Sequence, residues 1–379
     1  MERRPAEVFP PGEFIREELE ARGWTQTDFA EILGRPFQLV NDIIAGKRAI
    51  TPETAKGLGD AFGTGPELWL NMESAYQLHR VKDADPDVAR RARLYELAPL
   101  KEMIKRGWIE LSAAVEVLEK QVCKFFNIGT PEEEPEFLPH AARKTTSYTE
   151  VSPSQRAWLF RAWHLAQAVS VSPFSDAAFE RGMEQLRVIL PNTEEVRHIP
   201  RILADMGVRF VVIEPLPQTR IDGACFWLDE KSPVVALSLR YDRIDSFWFS
   251  LMHELGHLKN RDGLEGNGQV DTDLVGDDAI RTEEKHEYER RADEFAASFL
   301  IPGKELDSFI VRTKPLYATP KIMGFAKRLK VHPGIVVGQL HRRGEFSYSN
   351  HRKMLDKVRH IISSSALTDG WGSIAPSLI

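Results

Sequence analysis

Two histidines four residues apart are the residues of this sequence best suited to chemistry. His253 and His257 enclose Glu254 in the segment His-Glu-Leu-Gly-His, and apolar side chains recur at helical spacing through residues 247–260. Residues four apart lie on one face of a helix, so both imidazoles can reach a single point. The spacing therefore predicts a helix that presents two nitrogen ligands to one divalent ion.

Zinc is the ion that this ligand type indicates. Zn²⁺ binds imidazole nitrogen, and a catalytic zinc site has three protein ligands and one position open to water. Glu254 follows the first histidine directly, so it can contact that water and take its proton during attack on a carbonyl. The alternative is a surface helix with two solvated histidines, because the five-residue pattern also arises by chance.

A second predicted helix, residues 282–300, supplies candidates for the third ligand. It begins with several acids and ends before Pro302-Gly303. Glu289 and Asp293 share one face, so Glu289 can complete the ligand set while Asp293 accepts the remaining N–H of a ligand histidine. Two ordinary acids on a solvated helix would give the same pattern. The spacing leaves four rival ligands open: Glu283, Glu284, His286 and Glu287.

These motifs resemble those of the ImmA/IrrE family of zinc metallopeptidases. The resemblance rests on His-Glu-Leu-Gly-His at 253–257, on Glu-Arg-Arg-Ala-Asp-Glu-Phe-Ala at 289–296 and on Leu-Ile-Pro at 300–302. It covers about the second half of the chain. It implies selective proteolysis of a regulatory protein, typically a repressor that carries a helix-turn-helix domain.

The same resemblance assigns a role to each residue of the predicted site. It implies that His253, His257 and Glu289 bind zinc and that Glu254 is the catalytic base. Asp293 is then the expected partner of a ligand histidine.

Composition and length narrow the class of protein. The chain has 379 residues, of which 42% are hydrophobic, which suits two or three domains with buried cores. It has no signal-peptide pattern and no apolar run of about 18 residues that could span a membrane. Cys123 and Cys225 are far apart in the sequence, which argues against a disulfide framework. We therefore expect a cytoplasmic protein with no membrane partner.

Charge is distributed unevenly along the chain. The net charge is −6; residues 1–80 carry 9 basic and 13 acidic side chains, whereas residues 311–362 carry 12 basic and 2 acidic ones. Non-specific attraction to phosphate is therefore expected at the C-terminal end more than at the N-terminal end. Residues 321–343 again show a helix, turn, helix pattern. Its role is either structural or that of a second nucleic-acid surface.

Three short helices are predicted near the N-terminus, at residues 11–23, 26–33 and 36–45. Thr25 caps the second helix, and Gly34 provides the turn to the third. Two short helices joined by a tight glycine-containing turn form the helix-turn-helix arrangement, in which the later helix enters a DNA major groove. The pattern predicts a DNA-binding domain.

This stretch resembles a Cro/CI-type (XRE) helix-turn-helix of the HigA antitoxin subgroup. The matching letters include Thr25-Gln26, Leu33-Gly34, the run Gly-Lys-Arg-Ala-Ile-Thr-Pro-Glu-Thr-Ala at 46–55, and Leu-Trp-Leu-Asn at 68–71. The resemblance implies DNA as a partner, and a homodimer if the DNA is palindromic. The implied contacts are Gln26, Lys47 and Arg48 for phosphates and Phe37, Gln38 and Asn41 for base edges.

An alternative for this domain is that it binds protein instead of DNA. Its acidic total, the Pro36-Phe37 pair and the negative charge of Asp42 all depart from a typical DNA-binding face. In that case the domain would act as a decoy, a substrate or an adaptor for the peptidase.

The hydrophobic period changes at Val208. Short runs rich in β-branched and aromatic residues predict strands at 208–213, 221–228 and 233–239. A small sheet before the histidine-bearing helix suits a zincin, and its edge strand can hold an extended peptide. Cys225 lies in the second strand, where we expect a buried small hydrophobe and not a redox-sensing thiol. Residues 260–280 are predicted as a long loop, either a lid or an exosite.

The sequence thus predicts a multidomain α+β protein. The expected parts are an all-α helix-turn-helix domain at 1–80, a helical middle region at 81–200, and a zincin-like core with a small sheet and two metal-bearing helices at 201–312. A basic helical segment at 313–362 and a tail at 363–379 follow.

The predicted function is that of a zinc-dependent endopeptidase coupled to transcriptional regulation, which cleaves a repressor- or antitoxin-like protein. The alternative is a non-proteolytic DNA-binding regulator or antitoxin whose metal site is structural or vestigial. A glutamate within the motif that binds no metal favours the first hypothesis, because a structural site has no use for it.

Overall fold

The fold divides into two compact units, Met1–Ala89 and Arg90–Ile379. Hydrophobic clusters lie within each of them. Across the described ranges, no helix is both long and apolar enough to cross a membrane. The computed structural model describes residues 8–81, 85–135, 151–262, 264, 269–272 and 287–371.

The first unit is the predicted helical bundle. Its core joins apolar side chains from every helix, and the Phe62 ring contacts those of both Phe29 and Trp69. The three predicted helices are confirmed, and two more follow. The helices are α1 (Pro11–Arg22), α2 (Gln26–Leu33), α3 (Phe37–Ile44), α4 (Pro52–Phe62) and α5 (Pro66–Arg80).

Local hydrogen bonds set the start and end of α2. The Thr25 hydroxyl accepts from the Asp28 N–H at 3.1 Å, and the Asp28 carboxylate accepts from the Thr25 N–H at 2.8 Å, which forms a capping box. Gly34 ends the helix with a φ of 59°, a left-handed conformation that glycine adopts at little cost. The capping box sets the start of α2, and Gly34 fixes the turn between α2 and α3.

The second unit begins with a run of helices. Pro99 separates the first two, and Ser152 and Ser175 cap two later ones through their hydroxyls. Residues 193–206 form a 3-10 helix, Thr193–His198, followed directly by an α-helix. Pro200 has no N–H to bond to the preceding turn, so one continuous α-helix is disfavoured. The α-helices are α6 (Pro86–Leu97), α7 (Leu100–Lys105), α8 (Val115–Phe126), α9 (Pro153–Gln167), α10 (Asp176–Ile189) and α11 (Ile199–Met206).

A five-stranded sheet lies at the centre of the second unit, counted over the described residues, in the order β4-β2-β3-β1-β5. β1 runs parallel to β3 and β5, and β2 runs antiparallel to β3 and β4. The strands are β1 (Arg209–Ile213), β2 (Ile221–Trp227), β3 (Pro233–Leu237), β4 (Gln269–Thr272) and β5 (Leu367–Asp369).

The three predicted strands are confirmed, but none of them is an edge strand. β4 lies in the predicted loop at 260–280 and β5 in the predicted tail, and these two form the edges. The residues of β2 and β3 are buried throughout. An interior strand covered on both faces has a continuous apolar sequence and no alternation.

The remaining helices include the two that bear the predicted metal ligands. Residues 282–286 of the second predicted helix lie outside the described residues. The helices are α12 (Ile244–Lys259), α13 (Glu287–Leu300), α14 (Gly303–Thr313), α15 (Thr319–Leu329), α16 (Pro333–Arg342) and α17 (Arg359–Ile362). α16 is almost wholly buried, which supports a structural role for the basic segment because a buried helix cannot enter a DNA groove.

Helices cover both faces of the sheet. Cys225 and Val235 point into the cluster that contains α10 to α13, and Cys225 is fully buried there as a small hydrophobe. The neighbouring Ala224 and Phe226 point into the opposite cluster, which α6 to α9 form. Helices α6 to α9 of the predicted middle region therefore bury one face of the sheet, whereas α10 of the same region packs on the other face.

A buried ion pair fixes the edge strand β5. The Asp369 carboxylate accepts hydrogen bonds from Arg161 at 2.5 Å and from the Trp108 indole at 2.8 Å, and both charged side chains are almost fully buried. The partners come from α9 and from the turn after α7. This network joins the end of the described chain to the helical layer.

We expect Asp369→Ala to lower the free energy of unfolding by about 3–5 kcal/mol, because it leaves the Arg161 guanidinium buried without its carboxylate. Urea denaturation measures the change. The double variant Asp369→Ala/Arg161→Met is the control. Its free energy of unfolding should fall by less, because it removes both charges. A single variant as stable as the double one would contradict this account.

Candidate metal centre

α12 is the central element of the site. Every residue from Ile244 to Leu258 is buried, because the helix packs against β2, α13 and α16. His253 and His257 lie one turn apart on the side that meets α13. Glu254, the next residue, lies against β2. The helical period thus separates the two histidines from the glutamate.

Three side chains converge beside α12. The Nε2 atoms of His253 and His257 are 3.0 Å apart, and the Glu289 carboxylate of α13 lies 3.2 Å from the first and 3.7 Å from the second. One ligand atom from each residue lies within 4.8 Å of the others. The structure brings together the three predicted ligands in a geometry that could hold a metal ion.

The other nitrogen of each imidazole contacts a carboxylate. His253 Nδ1 lies 3.0 Å from Asp293 Oδ1, and His257 Nδ1 lies 3.0 Å from Asp262 Oδ2. A carboxylate accepts hydrogen bonds, so we assign the ring proton to Nδ1 in both residues. The lone pairs on Nε2 then point at each other and at Glu289. A cation satisfies three such acceptors, so the residues fit a metal ion.

Asp262 was not predicted from the sequence. It lies in the turn after α12, where its N–H donates to the His257 carbonyl at 2.9 Å and its own carbonyl accepts from the Trp227 indole at 3.2 Å. These bonds hold its carboxylate beside His257. An acid five residues after the second histidine, just beyond the helix end, is the sequence signal that could have identified it.

The charge of Glu289 suits a metal ligand. Burial by itself raises the pKa of this carboxyl, but without a metal the hydrogen bonds from His253 and His257, and the positive charge of these rings when they are protonated, outweigh burial and hold the pKa well below its usual range. The group is therefore an ionised carboxylate in a mostly buried position, with 16% of its side chain exposed.

Small residues allow α13 to approach α12 closely. A Cβ atom added at Gly256 would lie 3.1 Å from a ring carbon of Phe295 and 3.2 Å from the Cα of Ala292, which is tighter than ordinary contact. Glycine and alanine at these two positions let Glu289, one turn before Asp293, come within reach of both imidazoles.

Gly223 makes room for Glu254. The Glu254 side chain is fully buried, and a Cβ atom at Gly223 would lie 2.2 Å from its Oε1. The backbone of β2 therefore lies directly beside this carboxylate. The sequence offered a weak signal, because a glycine inside a strand often marks a close approach.

The rival ligands separate into two groups. Glu287 is exposed at the start of α13 and is not part of the converging group. Glu283, Glu284 and His286 lie outside the described residues. Tyr288 lies near the centre, with its ring 6.2 Å from that of His257 between centroids.

The candidate DNA contacts occupy the surface of α2, α3 and the turn after α3. Phe37 and Gln38 are exposed, with 48% of Phe37 accessible to solvent, whereas Gln26 and Asn41 are half-buried. The Gln38 amide donates to Asp42 Oδ1 at 2.8 Å, so base contact by that amide must compete with this bond.

Lys47 and Arg48 are both exposed in the turn after α3. Their backbone N–H groups donate to the Asp42 carbonyl at 2.8 and 3.1 Å. The turn therefore holds two cations beside the exposed end of α3, although the Asp42 carboxylate weakens the local positive potential.

Comparison with known proteins assigns a family to each unit. The Peptidase M78 family model, described as an IrrE N-terminal-like domain, matches residues 205–341. A helix-turn-helix family model matches residues 15–69. The first match includes α12 and α13, and the second includes α2 and α3.

Individual proteins similar to this chain include two curated proteins and a solved structure, each of which matches about a fifth of the chain. An uncharacterised HTH-type transcriptional regulator, YddM of Escherichia coli K12, is 32% identical over 84 residues, which are 22% of this chain and 88% of that protein. Virulence-associated protein A of Dichelobacter nodosus is 34% identical over 87 residues, 23% of this chain and 82% of that protein. A solved structure of a putative antidote protein of a plasmid maintenance system from Nostoc punctiforme shares 40% identity. It covers 19% of this chain and 80% of its own, with a TM-score of 0.19.

The two matches are consistent with the resemblances found in the motifs, and each falls on the unit that carries the corresponding side chains. The chain therefore carries an XRE-type helix-turn-helix domain in its first unit and an IrrE-like (Peptidase M78) domain in its second.

Proposed function

We propose that the second unit is a zinc-dependent endopeptidase that cleaves a regulatory protein, and that the first unit binds DNA. The observation that carries the proposal is the convergence of His253, His257 and Glu289 next to a fourth, buried side chain. Glu254 is that fourth residue. Three protein ligands and one neighbouring acid are what a hydrolytic zinc site requires.

Each residue has a separate task in this proposal. His253, His257 and Glu289 would hold zinc, and Asp293 and Asp262 would orient the two rings through Nδ1. Zinc, when bound, supplies Lewis acidity to water and to the substrate carbonyl. The protein supplies the base, because a carboxylate beside the reacting water accepts its proton and can pass it to the leaving amine.

The burial of Glu254 supports the catalytic hypothesis over a structural metal site. Placing a carboxylate in the protein interior costs several kcal/mol. A structural site gains nothing from this cost, whereas a general base acts on its water best where bulk water is excluded. The alternative of a non-proteolytic regulator or antitoxin leaves the residue without a function.

A protein substrate suits the position of the sheet. β2 lies beside Glu254, and β4 forms the adjoining edge of the sheet. An extended peptide can add to a sheet edge through main-chain hydrogen bonds, which do not depend on its side chains. We therefore propose a repressor- or antitoxin-like protein with an exposed extended segment as the substrate.

DNA binding is proposed for the first unit on the basis of its exposed residues. Lys47 and Arg48 lie where they can contact phosphates, and Gln38 and Asn41 lie on α3, where amides can pair with adenine. The similar transcriptional regulators support this assignment. A dimer is expected if the operator is palindromic.

The variant Glu254→Gln should keep its zinc and lose at least about 100-fold in cleavage rate, because it removes only the base. Zinc is measured by elemental analysis, and cleavage by incubation with candidate repressors that carry a helix-turn-helix domain. Glu289→Ala is the matched control and should lose both zinc and cleavage. Equal cleavage by wild type and Glu254→Gln would exclude the proposed chemistry.

Gly223→Ala should lower kcat by about 100-fold without changing the zinc content. The added methyl group displaces the Glu254 carboxylate, and a misplacement of about 1 Å lowers the rate by about that factor. Steady-state kinetics and elemental analysis measure the two quantities. Ala224→Gly, the next residue on the opposite face of β2, is the control and should retain kcat. Full activity of Gly223→Ala would show that Glu254 needs no such space.

Lys47→Ala and Arg48→Ala should each weaken binding to DNA of any sequence. Each should also reduce, by about one, the steepness with which the logarithm of the association constant falls with the logarithm of the salt concentration. The probes are duplexes selected from a random library with the full-length protein. Arg80→Ala, an exposed cation at the end of α5, should have no effect. Failure to select any duplex would favour a protein-binding role for the domain.

A further inference from the structure

The last residue of α16 reaches the metal centre. Arg342 Nη2 lies 3.5 Å from Asp293 Oδ2, and its guanidinium carbon lies 3.7 Å from the centroid of the Phe249 ring. Only 21% of the side chain is exposed. The match to the IrrE-like family model ends at residue 341, so Arg342 lies just beyond the segment that the family defines.

Asp293 and Phe249, which contact Arg342, are also neighbours of His253. Asp293 uses its other oxygen, Oδ1, to accept from His253 Nδ1 at 3.0 Å. Phe249 lies one helical turn before His253, with 6.2 Å between the ring centroids. The guanidinium, the carboxylate and the imidazole therefore form a chain of contacts from α16 through α13 to α12.

Physical chemistry explains why an arginine suits this place. A buried carboxylate that bonds to only one partner retains an uncompensated charge on its second oxygen. The planar guanidinium can lie over an aromatic ring and still direct its edge N–H groups at that oxygen. A lysine ammonium is a point charge and would reproduce the charge but not the stacked geometry.

A second acid, Asp245, lines the same small cavity as Arg342. Asp245, which lies on the same side of α12 one turn before Phe249, takes two hydrogen bonds from Arg243, at 3.0 and 2.6 Å. Asp245 is thus occupied by a different guanidinium. Asp293 lies within ion-pair distance of Arg342.

We propose that Arg342 is a positioning residue of the metal centre, which holds Asp293 so that the His253 proton stays on Nδ1 and the Nε2 lone pair faces the metal. The inference rests on the metal site of the proposed function. It also gives the C-terminal basic segment a direct part in that site, through one residue of α16.

The test measures zinc affinity by competition with a chromophoric chelator. Arg342→Met should bind zinc about 10- to 100-fold more weakly, as is typical when a group that orients a ligand histidine is lost. Arg342→Lys should recover part of the loss. Arg343→Met is the matched control, because Arg343 is the next residue, is exposed and pairs with Asp307; it should bind as wild type does.

A double-variant cycle separates positioning from general destabilisation. In an Asp293→Asn background, Arg342→Met should cause little further loss of zinc affinity, because the carboxylate that it orients is gone. An equal loss in both backgrounds would overturn the inference. So would an unchanged affinity in Arg342→Met alone.

A metal-free measurement distinguishes this inference from the proposed function. Nitrogen-15 chemical shifts of His253 in the zinc-free protein should report the Nδ1–H tautomer in wild type and Arg343→Met, and a mixed population in Arg342→Met. An unchanged tautomer in Arg342→Met would overturn the positioning role. Absence of zinc binding by wild type would instead overturn the proposed function while the tautomer result still stands.

Discussion

The close contact between α12 and α13 is the constraint on which the metal centre depends. Two histidines on one helix bring only two ligands, and the third comes from a separate helix whose distance is set by backbone packing. Gly256 and Ala292 allow that distance to be short. Because interiors are densely packed, one extra methylene group at such a contact shifts the elements it separates. The carboxylate of Glu289 would then move away from the two imidazoles.

Several ionised side chains of this fold are buried, and ion pairs offset the free-energy cost of burying them. Asp293 lies between His253 and Arg342, and Asp262 lies between His257 and Arg291. Each pair joins elements that are distant in the sequence, so the ion pairs also specify which elements meet. Arg161 and Asp369 form a similar ion pair far from the metal centre, where it joins α9 to the edge strand β5.

The chain combines two kinds of domain whose chemistries are complementary. Helix-turn-helix domains are typical of transcriptional regulators, and in the proposed function the second unit is a peptidase that attacks a protein of this class. Under that proposal, a single polypeptide that carries both domains brings the proteolytic site to the DNA where such regulators bind. In that arrangement the basic segment at 313–362 contributes packing through α16, and Arg342 links it to the metal centre.

The sequence by itself determined what short-range periodicity and local hydrogen bonds control: the capped helices of the first unit, three strands, and the helix that places two imidazoles on one face. It also suggested Glu289 and Asp293 through their spacing on one helix. Only the tertiary structure decided that β4 and β5 form the sheet edges and that Gly223, Asp262 and Arg342 surround the centre. These features depend on contacts between residues far apart in the chain, such as Arg161 and Asp369, which are 208 positions apart. A local pattern carries no information about which distant partner a side chain will meet.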